Sequence, residues 1–124
     1  MRVTWLQSVA AAEAALSASG KTLAGVLRHG TMSVELHAPG GHAPQQPHSQ
    51  DELYVVVSGR GTFFKGGERR PFGPGEVIFA EAGIEYRFET FSDDFKTWVI
   101  FGGPTAARPP GLTLRPGCRR RPLP

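Results

Sequence analysis

Four polar side chains recur at every second position between Gln46 and Glu52: Gln46, His48, Gln50 and Glu52. In an extended segment, residues two apart face the same side, so two amides, an imidazole and a carboxylate point one way, and Tyr54 and Val56 continue that face. Glu52 opens the most apolar run in the chain. A carboxylate buried there needs a metal ion or a nearby cation. The same spacing is met by a hydrated Glu52 at a strand mouth, with His48 a surface loop residue. A second group lies downstream, where Glu85, Arg87 and Glu89 alternate with Ile84, Tyr86, Phe88 and Thr90. The charged set therefore faces water and the Tyr86 phenol faces inward. There it serves as a core tyrosine satisfied by an acceptor, as a metal ligand, or as a proton donor to a bound molecule.

Short strands must position these groups. Thr22 to His29 and Thr31 to Ala38 read as strands, the second with Met32, Val34 and Leu36 alternating against Ser33, Glu35 and His37. Glu52 to Ser58 is apolar on both faces, which places it inside a sheet. Thr62 to Lys65 leads into a tight hairpin turn at Gly66-Gly67, and Phe72 to Glu76 forms a further turn. Val77 to Ala80, Ile84 to Thr90 and Phe95 to Gly102 complete the strands. Trp98 lies on the last, where it either lines the pocket or packs outside. An alanine-rich stretch from Leu6 to Ala18, stopped by Gly20, reads as a short helix covering the sheet.

With 16 Gly and 11 Pro in 124 residues, long helices are disfavoured and an all-β closed barrel or jelly roll is expected. The length suits one domain: a helical segment over 1–21, a barrel over 22–104 and a loose Pro/Arg-rich tail over 105–124. The net charge of +3 owes much to five arginines from Arg108 onward, so the barrel is near neutral. Arg119, Arg120 and Arg121 lack the interleaved aromatics or recognition helix of a nucleic-acid surface, and no nucleic-acid partner is expected. No run approaches the ~20 apolar residues of a membrane span, and Glu13 interrupts the one stretch that mimics a signal peptide; a cytoplasmic location is expected. Cys118 is the single cysteine, so metal ligands must come from His, carboxylate, amide or phenol. His29, His37 and His42 are isolated and read as solvated or hydrogen-bonded, His42 lying nearest the pocket mouth.

Two segments resemble the paired motifs of small single-domain cupins. The first, G-x5-H-x-H-x3-E-x6-G, is met by Gly40, Gln46 in the first histidine place, His48, Glu52 and Gly59. The second, G-x5-P-x-G-x2-H-x3-N, is met by Gly75, Glu81 for proline, Gly83, Tyr86 for histidine and Thr90 for asparagine, fifteen residues after the first. The resemblance implies a double-stranded β-helix with a short N-terminal helix. It also implies a divalent metal (iron, manganese, zinc, nickel or copper) held by Gln46, His48, Glu52 and Tyr86. Two of those four ligands depart from the pattern, making the set richer in oxygen and weaker for late transition metals. If the protein is an enzyme, dioxygenase, isomerase or lyase chemistry is implied, with Tyr86 or Gln50 handling protons. The competing reading is a non-catalytic binder of a small molecule with a degenerate metal site. In both, Tyr54, Phe63 and Phe88 are expected to wall the pocket. A homodimer is expected, paired through sheet edges with help from Trp5 and Leu6.

Overall fold

A computed structural model describes residues 5–39 and 49–103. Helix α1 (Val9–Ser19) precedes β1 (Leu23–His29), β2 (Met32–His37), β3 (Asp51–Ser58), β4 (Gly61–Lys65), β5 (Glu68–Phe72), β6 (Val77–Ala80), β7 (Tyr86–Phe91) and β8 (Lys96–Gly102). One sheet runs β1-β2-β8-β3-β6 and the other, among the described residues, β5-β4-β7. This is the expected all-β jelly roll with one short helix. The expected tail and the loop carrying Gln46 and His48 lie outside the described residues. Among the described residues, no helix is long and apolar enough to cross a membrane.

The helix starts two turns' worth of residues into the alanine-rich stretch because Ser8 caps it, its Oγ accepting from the Ala11 N–H at 3.1 Å. It ends where Gly20 takes a left-handed conformation and donates to the Ser17 carbonyl. Ala12 and Leu16 bury against Ala24 and Leu36, with Val57 and Trp98 packed alongside, and Lys96 Nζ reaches Glu13 at 2.7 Å. Trp98 therefore lies outside the barrel beneath the helix, which settles the alternative its parity left open.

Strand β3 sits between β8 and β6, as its apolar character predicts. Its inward residues, Tyr54 and Val56, join Phe63, Phe72, Ala80, Tyr86, Phe88, Phe95 and Val99 in the core between the sheets. Tyr54, Phe63 and Phe88 are fully buried and ring-packed, with Tyr54–Phe88 and Phe63–Phe88 centroids both 4.9 Å apart. They form packed core, where the sequence suggested open pocket walls.

Strand β5 is the element the sequence pattern did not reveal. Its sequence Glu-Arg-Arg-Pro-Phe shows no alternation, and Pro71 argues against a strand. The position at the sheet edge resolves this, because an edge strand tolerates a missing N–H. The Gly66-Gly67 turn does join it to β4, with φ of 55° and 90°. The invariant-spaced Gly59 has its own cause: its φ is 89°, and a Cβ there would lie 2.5 Å from Phe95 Cα, so only glycine lets the two sheets cross here.

Candidate functional site

Glu52 is the second residue of β3, flanked by Phe101 of β8 and Ala80 of β6. Its neighbours along β3 alternate, so the carboxylate and the Tyr54 ring share the inward face. Tyr86 opens β7 in the opposing sheet, brought there by a turn that Asp51 fastens: its Oδ1 accepts the Ala82 N–H at 2.9 Å. The Lys65–Glu81 ion pair at 2.7 Å braces the same turn. Outside, Arg69 grips Glu89 through two bonds of 2.8 and 2.9 Å, and the Arg87 guanidinium lies 4.1 Å over the Phe64 ring. The outward charges thus hold β7 on β4, and Tyr86 and Phe88 are turned in, as the alternation predicts.

These elements converge on a buried carboxylate held by two phenols. Glu52, Tyr54 and Tyr86 are each 1% exposed. Tyr54 Oη donates to Glu52 Oε1 at 2.7 Å, and Tyr86 Oη donates to Oε2 at 2.8 Å. The two tyrosine rings meet edge-on at 6.2 Å, and Phe63 stacks on Tyr86 at 5.9 Å. Burial raises the Tyr86 pKa above its ordinary value of about 10, an effect partly offset by a hydrogen bond with Tyr54. The Tyr86 phenol is therefore protonated at neutral pH and acts as a donor.

The predicted site residues fare differently. Glu52 and Tyr86 are brought together, while Gln46, His48 and His42 lie outside the described residues. Gln50 has its amide engaged elsewhere: Nε2 donates to the carbonyls of Thr31 at 3.3 Å and Gly103 at 2.8 Å. That ties the start of β3 to the β1–β2 turn and the end of β8, a structural use in place of the proton handling expected of it. His29 is exposed, as expected, whereas His37 is half-buried and its pKa is lowered by burial. Tyr54 is the functional residue that the sequence reading placed only as wall; its position two residues after Glu52 on one face was the available signal.

The residues present were tested against the divalent metal that the motif spacing implies. Among the described residues, no cluster of three or more His, Cys, Asp or Glu side chains is placed to hold one. The third and fourth ligand positions, Glu52 and Tyr86, are joined to each other through the phenol proton. This pair does not fit a metal centre in which Tyr86 is a ligand.

A model of the Cupin domain matches residues 33–101, more than half the chain and spanning both motifs. The chain belongs to the cupin family. An uncharacterised protein of Streptomyces coelicolor is 40% identical over 80 residues, covering 63% of this cupin and 76% of the relative. Among solved structures, a putative mannose-6-phosphate isomerase from Ralstonia eutropha aligns with TM-score 0.56 and 22% identity, over 64% of this chain and 81% of the other. Pac13, a nucleoside dehydratase from Streptomyces, aligns with TM-score 0.55 and 20% identity, over 64% and 66% of the two chains. At these identities the structural neighbours speak for the fold.

Proposed function

We propose that this cupin binds a small polar or aromatic molecule at the barrel end where β3 and β7 begin, in a site organised by Glu52, Tyr54 and Tyr86 and not by a metal that uses Tyr86. The observation that carries this reading is that each oxygen of the buried Glu52 carboxylate accepts one tyrosine hydroxyl. Two charge-assisted bonds hold the carboxylate in one orientation, which favours recognition of a ligand by fixed polar groups in an apolar surround.

If the bound molecule is transformed, the chemistry fitting this set is proton transfer of the isomerase or lyase kind. Tyr86 Oη would give a proton and Glu52 would hold the phenol in place and take the proton up. The structural neighbours named for an isomerase and a dehydratase act within the same fold, which is compatible with that class and does not select a substrate. A second reading, a metalloprotein using Gln46, His48 and Glu52, is favoured by the motif spacing of those three residues. The metal would then supply Lewis acidity to a bound oxygen.

Thermal-shift screening of the wild type against sugars, nucleosides and aromatic acids, repeated with Glu52→Gln, tests the first reading. A compound that raises the Tm of the wild type and leaves Glu52→Gln unmoved supports it. Compounds that shift both proteins equally place the binding site elsewhere and overturn it.

A further inference from the structure

The strand register lays out an apolar grid on the outer face of the larger sheet. Ile100, Leu53 and Phe79 form one row across β8, β3 and β6, and Trp98, Val55 and Val77 form the next. All six side chains point away from the barrel core, because their neighbours Val99, Tyr54, Ile78 and Ala80 point into it. Helix α1 covers the adjoining half of this face and reaches as far as Trp98. The remainder is open: Val77 is 62% exposed, Phe79 47% and Leu53 37%. The charge at its border, Lys65, is folded over the Phe79 ring at 5.1 Å and paired with Glu81. Just ahead of α1, on the side of the molecule that the helix occupies, Trp5 and Leu6 are 86% and 72% exposed.

We propose that this face is the dimer interface, covered by the same face of a second copy of the chain. A contiguous uncharged patch on a sheet is self-complementary under a two-fold axis, since apolar rows meet apolar rows and no charge must find its opposite. Sheet faces pack at about 10 Å through side chains of this size. The exposed apolar area of the grid with Trp5 and Leu6 amounts to several hundred Å² per copy, on the scale of the roughly 800 Å² that each partner of a stable complex buries. A monomer rarely leaves a patch of this kind in water. The interface lies on the outer face, so both Glu52 sites remain open to their barrel ends.

Light scattering on the full chain tests the proposal across 1 to 100 micromolar, approximately the range in which such interfaces form. The wild type is expected to be a dimer, and Phe79→Glu and Val77→Lys are each expected to be monomers with unchanged circular dichroism. Val77 is the more exposed of the two, so its substitution reports on the interface even if Phe79→Glu fails to fold. A monomeric wild type overturns the proposal, as does a dimer that survives Val77→Lys. A full chain that is monomeric but dimerises once residues 104–124 are deleted overturns it in favour of the chain's own tail as the occupant.

Discussion

Removing one hydroxyl from the Glu52 site has a consequence large enough to measure. Tyr86→Phe keeps the ring that Phe63 stacks on and deletes the donor 2.8 Å from Glu52 Oε2. The carboxylate is 1% exposed, so water cannot simply replace the lost donor. A hydrogen bond to a charged group contributes about 1.5–3 kcal/mol, and leaving a buried acceptor short of its partner puts the loss toward the upper half of that range. At about 4–8 °C per kcal/mol for a domain of this size, the Tm should fall by roughly 8–16 °C. An exposed tyrosine losing its hydroxyl would change stability by less than about 0.5 kcal/mol. A double-mutant cycle of Tyr86→Phe with Glu52→Gln, read by urea unfolding, isolates the pair and should show a coupling of about 1 kcal/mol or more. Tyr86→Phe melting within about 2 °C of the wild type, or a coupling near zero, would refute the geometry on which the site is built.

Alkaline unfolding should carry the mark of the same phenol. With the Tyr86 pKa raised by burial, the unfolded chain loses a proton near pH 10 that the folded chain keeps, so stability falls as pH rises past about 10. Tyr86→Phe should flatten that limb in a pH series of melting curves. His37 gives the opposite limb: burial lowers its folded pKa, so the unfolded chain takes up a proton first as pH falls below about 6.5, and stability drops there; His37→Gln should lessen the drop. Gly59→Ala forces a Cβ to 2.5 Å from Phe95 Cα at a φ of 89° and should cost about 1–3 kcal/mol or prevent folding, as denaturant titration would reveal. Tyr86→His should raise zinc affinity over the wild type by calorimetry, since imidazole restores a nitrogen donor beside Glu52; equal affinities would mean that position 86 does not face the site.

The sequence made the strands legible wherever one face is buried and the other wet. Met32 to His37 and Ile84 to Thr90 alternate cleanly and were read almost to the residue, and the inward aim of Tyr86 followed from that parity alone. Strand β5 was not legible, because on a sheet edge neither Pro71 nor three consecutive charges conflicts with pairing, and no periodicity survives. The apolar character of β3 on both faces was read as centrality, which holds; its outward residues Leu53 and Val55 also belong to the exposed grid. At the site, parity showed that Glu52 and Tyr54 share a face. It did not reveal that the Tyr54 and Tyr86 hydroxyls would meet one carboxylate, since that depends on how closely two sheets approach. Gln50 shows the limit of parity from the other direction: one residue outside β3, its amide is drawn to the Thr31 and Gly103 carbonyls by the end of the strand pairing.

The central claim is that the Glu52 carboxylate is organised by two phenols and not by a metal with Tyr86 in its ligand set. Metal analysis of protein purified without chelator, combined with melting curves in added iron, manganese, zinc, nickel and copper, tests it most directly. The account predicts well under one metal ion per chain and no rise in Tm with any of the five. Close to one ion per chain, with a Tm that falls on chelation and in which Tyr86→Phe loses the metal, would contradict it.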